Sequence, residues 1–307
     1  MTLESDTPAG GRGSPSATRG AVRPLRAARL LLLSSHPGPT AAVTVLCLVL
    51  GLAIGLEPWR LVVLGLAVLA GQLSIGFSND AIDAARDAEV GRTDKPIARG
   101  DIGRRAVAIA AAVALVIALA LSAVLGLGML VAHTIVIAGG WLYNAWLKRT
   151  ALSVVPFIVS FGTVPSLATL SAPDPAAAAL WASATGAILG ISIHFTNALP
   201  DLADDRRTGV RGLPHRLGRR AAGAVAFAAL ATGAVIVLVG PTVGGFAATR
   251  PPGVVELVGF AATIGIAVVG LVLALRRPAH RVLFRLVMAA GLLIAIQLTL
   301  GGVRLVG

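Results

Sequence analysis

Nine stretches of about twenty mostly apolar residues recur along this chain, roughly at 39–56, 61–79, 105–123, 127–147, 151–171, 177–199, 220–240, 254–274 and 283–303. A bilayer core takes about 20 such residues per helix, and a hydrocarbon solvent leaves a chain few options besides helices that satisfy their own backbone. The runs therefore predict an all-α, polytopic membrane protein with about nine transmembrane helices around a central cavity. Gly and Pro inside the runs, Pro156 and Pro165 among them, do not oppose this, because membrane helices tolerate both. Composition agrees: 56% of residues are hydrophobic and only 13% charged, where soluble domains carry about a quarter charged. The break between the third and fourth runs is the least marked.

The formal net charge is +12, and the placement of the basic residues explains it. The N-terminal segment and the connections near 80–105, 148–149, 201–220 and 276–285 hold 23 of the 26 Lys and Arg; only Arg60, Arg250 and Arg304 fall on the other side. Positive residues stay cytoplasmic, so the N-terminus and these connections are expected inside. Residues 1–21 are rich in Gly, Ser, Pro and Arg without an apolar core, and read as a disordered cytoplasmic tail, not a cleavable signal. Residues 22–38, with Arg23, Arg26 and Arg29 among leucines, read as a segment along the inner interface, and 39–303 as the membrane domain. A nucleic-acid partner is excluded, since the basic residues are scattered over five short segments. The single cysteine, Cys47, allows no intrachain disulfide and no cysteine zinc site.

The scarce acidic residues carry more information. Nine of 14 fall in two segments on the expected inner side, Asn79–Asp101 and Asp201–Asp205. Setting Asn79 against Asn197 aligns Asp83 with Asp201, Asp87 with Asp205, Gly91 with Gly209 and Pro96 with Pro214. Gly103-Arg104-Arg105-Ala106 then repeats as Gly218-Arg219-Arg220-Ala221, the mark of a duplicated helix–loop–helix unit. Spacing of four places Asn79, Asp83 and Asp87 on one helical stripe, and Asn197, Asp201 and Asp205 on a second. Stacked carboxylates near bilayer depth repel one another and are costly unless they face a cavity or a partner. A divalent cation removes both objections. Mg²⁺ favours a few carboxylates completed by water and phosphate oxygens, so the two stripes predict a site for a magnesium-bound diphosphate.

These residues resemble a known family. Asn79-Asp80-x-x-Asp83-x-x-x-Asp87, followed by Arg92-Thr93-Asp94-Lys95-Pro96, looks like the first signature of the UbiA superfamily of intramembrane prenyltransferases. Asp201-Leu-Ala-Asp204-Asp205-Arg206-Arg207-Thr-Gly209 is similar to its second, and Tyr143-Asn144-x-x-x-Lys148 to the element between them. The chain departs from the pattern at Asp204, where Gly is common, at Ala198, which replaces an Asp, and at His36-Pro37, where many members carry Arg-Pro.

The resemblance implies transfer of an isoprenyl chain from its diphosphate to a lipid-soluble acceptor, at a site facing the cytoplasm of a bacterial-type plasma membrane. Aromatic acids, naphthoates, porphyrins, glycerol-phosphate lipids and sugar phosphates are all acceptors of proteins of this kind. Breaking an allylic C–O bond leaves extra charge on diphosphate. Mg²⁺ held by Asp80, Asp83, Asp87, Asp201 and Asp205 would offset that charge, with Asn79, Asn197 and the additional Asp204 as further ligands. Lys148 is expected to contact diphosphate one turn after Asn144, with Arg92, Lys95, Arg206 and Arg211 as further cations. Tyr143 is either a cation-stabilising ring or an interfacial anchor. His194 is either a base on the acceptor or a partner to a neighbouring helix. Gln72, Ser74 and Gln297 are expected to hydrogen-bond between helices.

Two other readings make different predictions. A cyclase acting on the prenyl diphosphate alone would favour aromatic walls, and only 4% of the chain is aromatic. A secondary transporter also shows duplicated halves, but with its charged or broken-helix features at mid-membrane.

Overall fold

The computed structural model describes residues 24–93, 95–243, 252–276, 281–300 and 305. The expected tail at 1–21, the first residues of the 22–38 segment and the side chain of Asp204 lie outside what is described. The helices are α1 (Pro24–Leu33), α2 (Pro37–Ala53), α3 (Pro58–Glu89), α4 (Arg104–Leu125), α5 (Leu127–Ala145), α6 (Val155–Thr169), α7 (Leu180–Ala198), α8 (Leu202–Arg207), α9 (Leu213–Leu217), α10 (Arg219–Val243), α11 (Val254–Arg276) and α12 (Arg281–Leu300). Each of the nine apolar runs overlaps one of the long helices. Among the described residues, seven spans are long and apolar enough to cross a membrane, and an eighth is reached if α1 and α2, bent by 80°, count as one. The shortfall from nine has a local cause. Helix α2 begins only at Pro37, and α7 ends in the polar series Ser192, His194, Thr196 and Asn197.

Local sequence explains the boundaries. Proline in the first turn starts α2, α3 and α6, where its missing N–H costs nothing. Pro156 therefore opens α6 without kinking it, while Pro165 lies inside that helix. A lone Gly126 at φ 128° separates α4 from α5, the break that was least marked in sequence. The two acidic segments end alike. Gly91 and Gly209 both take positive φ, 69° and 79°. Arg92 N–H donates to the Asp87 carbonyl at 2.9 Å, as Val210 N–H does to that of Asp205 at 2.8 Å. Both are Schellman caps, so the aligned residues are also structural equivalents.

The long helices close into a ring, with α2 packed on both α3 and α12, and α7 lying between α6 and α10. Helices α3 and α4, which flank the first acidic segment, pack against each other, as do α7 and α10, which flank the second. Outward faces stay apolar: Ile109, Val113, Val116 and Val124 on α4 are exposed, as lipid-facing residues are. With hydrocarbon on both sides of the contact, close packing of small residues and polar links between helices hold such a bundle. Ser74 supplies one link, donating to the Ala111 carbonyl at 2.9 Å, and Gln297 another, to the Glu256 carbonyl at 3.2 Å. The C-terminal ends of α3, α5, α7 and α11 meet at one end of the ring, where Lys148 pairs with Asp83, Arg86 with Asp205, and Arg219 with the Ala274 carbonyl.

Candidate active site

At that end α3 runs on well past the membrane-crossing length. Its 32 residues extend about 48 Å at about 1.5 Å per residue, and the last turns carry the first acidic motif. Asp80, Asp83 and Asp87 are all buried. Gly76, one turn earlier, has no Cβ where the Ser35 carbonyl touches the helix. That close approach brings in His36, which has a left-handed φ of 53°. His36 Nε2 lies 3.1 Å from Asn79 Oδ1, 3.0 Å from Asp80 Oδ1 and 3.2 Å from Lys95 Nζ. Lys95 also pairs with Asp80 directly and lies 3.8 Å from Asp87.

The middle motif completes this half. Asn79 donates to Asn144 Oδ1 at 3.1 Å, and Asn144 donates to the Ile75 carbonyl and to Ser78 Oγ, both at 2.9 Å. Lys148, in a short 3-10 turn after α5, is buried and paired with Asp83. Burial pushes its ammonium pKa down, against the pull of Asp83.

The second motif departs from the expected stripe. Pro200 cannot donate to the helix, so α7 stops at Ala198, a 3-10 turn covers Leu199–Asp201, and α8 follows. Asn197 is exposed, Asp201 is partly exposed at one end of an Arg92 ion pair of 3.7 Å, and Asp205 is half-buried. Burial, opposed by Arg92 and assisted by Asp205, raises the Asp201 pKa above the ordinary carboxylate value.

Arg86 joins the halves, a role that spacing alone did not single out. Its guanidinium donates to Asp83 Oδ2 at 3.0 Å, Asp87 Oδ1 at 3.3 Å and Asp205 Oδ1 at 3.4 Å. His215, also missed, lies 3.0 Å from Asp205 Oδ2. Three of the expected cations, Lys148, Lys95 and Arg92, meet the acidic cluster. Arg206 turns to the His215 carbonyl at 3.0 Å, and Arg211 is exposed on the connecting loop.

Beneath the polar layer lies an aromatic one. Tyr143 meets Phe157 edge-on at 5.0 Å between centroids and His194 at 5.8 Å; Phe157 lies 6.2 Å from Phe161. This packing joins α5 to α6 and α7. His194 Nε2 lies 3.1 Å from Ser153 Oγ, which accepts the Leu213 N–H at 2.9 Å. The Ser153 proton is thus available to Nε2, and His194 ties α7 to the turn after α5. Phe161 and Ile193 also line an apolar cleft between α2, α6, α7 and α12.

The sequence matches the UbiA prenyltransferase family over residues 39–290. The chain belongs to that family. It is accordingly an integral membrane prenyl transferase. Its fold is shared with the apo structure of a UbiA homologue from Aeropyrum pernix K1, at a TM-score of 0.68 and 19% identity over 85% of this chain and 96% of that one. A UbiA homologue from Archaeoglobus fulgidus bound to GPP and Mg²⁺ follows at 0.67 and 15%, over 89% and 98%. A digeranylgeranylglyceryl phosphate synthase superposes at 0.63 and 13%, over 90% and 98%. No curated protein matches the sequence.

In this UbiA-family chain, no three carboxylate, histidine or cysteine groups converge on one point among the described residues. The acidic side chains are arranged around Arg86, Lys95 and Lys148 instead. Like charges this close need counter-charge, and these are the nearest cations. The donor set nonetheless suits a hard divalent ion, being carboxylate and amide oxygens. One buried oxygen, Asp80 Oδ2, has no hydrogen-bond partner.

Proposed function

We propose that this protein transfers an isoprenyl group from a prenyl diphosphate to a lipid-soluble acceptor, depends on Mg²⁺, and works at the cytoplasmic face of a bacterial-type plasma membrane. The observation that carries the reading is the joining of both acidic motifs through Arg86, with an apolar cleft along α7 that begins at Ile193, one turn before Asn197. Asp80, Asp83, Asp87, Asp201 and Asp205 would hold the metal, with Asn79 and Asn197 as neutral ligands. Bound there, Mg²⁺ supplies positive charge that lowers the cost of diphosphate departure.

The chain's own residues account for the remaining work. Lys148, now tied to Asp83, is within reach of a diphosphate that approaches the acidic cluster, and its ammonium stabilises the charge left on the departing oxygen. Lys95 and Arg92 are placed to bind the same anion. Asn144 orients Asn79 and keeps α5 against α3. The rings of Tyr143 and Phe157 face the allylic carbon with π-electron density. The apolar cleft takes the hydrocarbon chain and keeps water from the reacting carbon.

Membranes containing the wild type should consume prenyl diphosphate in a Mg²⁺-dependent way, and Asp83→Ala or Asp201→Ala should abolish consumption while still inserting. Full turnover in the double variant would sink the proposal. The aromatic layer at Tyr143, Phe157 and Phe161 favours one alternative, cyclisation of the donor's own chain. Product analysis with prenyl diphosphate alone separates it from transfer.

A further inference from the structure

We propose that Ser153 and Gly212 are positioning residues for Lys148, through which the loop after the second acidic motif sets where that ammonium lies. The inference rests on the reading that Lys148 binds the diphosphate.

The two copies of the acidic motif do not bring the same cations. In the register that sets Asn79 against Asn197, Lys95 falls on Leu213 and Asp80 on Ala198. The ion pair of Lys95 with Asp80 therefore has only apolar counterparts in the second copy. Arg206 donates to the His215 carbonyl at 3.0 Å and Arg211 is exposed, so neither takes the place of Lys95. The second loop uses its backbone instead. Where Lys95 reaches the carboxylates, the Leu213 N–H donates to Ser153 Oγ at 2.9 Å.

Ser153 stands five residues after Lys148, in the second of the two short 3-10 turns, Leu147–Arg149 and Ala151–Val154, that follow α5. It is fully buried. Its hydroxyl accepts from Leu213 and keeps its own proton for His194 Nε2, 3.1 Å away, so both of its bonding directions are used. Gly212 adds a steric contact. Its backbone is ordinary, φ −61° and ψ 174°, so conformation does not require glycine there. Space does: a Cβ would lie 2.7 Å from the Lys148 carbonyl oxygen and 2.9 Å from Ser153 Oγ. The missing side chain lets the loop lie flat against the turn that bears Lys148.

The same loop returns to the second acidic motif. The Gly212 carbonyl accepts the His215 N–H at 3.1 Å, and His215 Nε2 lies 3.0 Å from Asp205 Oδ2. Lys148 is thus held from both ends, its ammonium by Asp83 of the first motif and its backbone by the loop of the second. A diphosphate that draws the ammonium away from Asp83 leaves the backbone hold to aim it. Aim matters, because misplacing a group by about 1 Å can cost about 100-fold in a reaction.

The test uses the full chain in lipid nanodiscs with Mg²⁺ and measures affinity for geranyl, farnesyl and geranylgeranyl diphosphates, so that no acceptor is needed. Gly212→Ala and Ser153→Ala are each made in the wild type and in Lys148→Met. With Lys148 present, each should weaken binding about threefold or more, the size expected of coupled neighbours. In Lys148→Met neither should weaken it further, because the group they aim is gone. Equal losses in both backgrounds would show a merely structural loop and overturn the proposal, as would no loss in either variant. Ser153→Ala removes one oxygen and adds no atom, so it decides the matter alone if Gly212→Ala fails to insert. A wild type that binds none of the diphosphates, or a Lys148→Met that binds them as tightly as the wild type, would overturn the reading of Lys148 beneath it, a distinguishable result.

Discussion

Arg86 shows how much one side chain can matter in a site made of like charges. It neutralises two buried carboxylates of its own helix and one from α8, so it fastens the two acidic segments together. Removing one member of a buried ion pair costs about 3 kcal/mol or more, because the partner charge is left uncompensated. Arg86→Gln should therefore lower the unfolding temperature in detergent, and added Mg²⁺ should restore the variant more than it raises the wild type. Equal responses to the metal would argue against a shared location for guanidinium and cation. Lys148 differs in kind. Asp83 keeps its bond to Arg86 when Lys148 is replaced, so Lys148→Met should insert and fold normally. Its kcat should fall about 100-fold or more, as when a charge-stabilising donor is lost, and steady-state kinetics on prenyl diphosphate would read this directly.

At the scale of the element, glycine sets which helices can touch. An added Cβ at Gly186 or Gly190 of α7 would run into the Phe161 or Phe157 carbonyl of α6. This small-xxx-small spacing holds Phe157 4.8 Å from His194. Gly190→Ala should cost about 1–3 kcal/mol from overpacking and should reduce donor consumption by displacing the aromatic layer. Melting curves alongside activity would check both effects; a fully stable, fully active variant would show that α6 and α7 can separate freely. The caps of α3 and α8 make a matched pair of tests. Gly91→Ala and Gly209→Ala each place a Cβ in the left-handed region and should each cost about 1 kcal/mol, with similar losses if the two motifs are true copies.

The whole molecule is a ring whose polar groups collect at one end, and sidedness follows from that. Arg105 and Glu57 are both exposed, and the proposed orientation, with the N-terminus inside, puts Arg105 on the inner membrane face and Glu57 on the outer. Cys47 is fully buried, so the native background should not react with a membrane-impermeant maleimide. Glu57→Cys should label in intact cells and Arg105→Cys only after permeabilisation. The reverse pattern would invert the topology and place the acidic site outside.

Local properties of the chain determined much of this by themselves. Apolarity over about 20 residues marks a helix wherever it occurs, so the runs, their one-to-one match with the long helices and the pairing of the acidic motifs were legible in order. Even the repeat was specific enough to align Gly91 with Gly209, which turned out to share one cap. The second motif was misread only where a single residue, Pro200, removes a backbone donor and breaks the stripe. Tertiary structure alone decided which cation meets which carboxylate. Arg86 and Asp205 lie 119 residues apart, and Lys148 and Asp83 lie 65 apart, distances over which no spacing rule operates. The choice of Arg92, Lys95 and Lys148 over Arg206 and Arg211, and the entry of His36 beside Asp80, have the same origin. Each depends on how closely two helices approach, and that is fixed by packing across the ring.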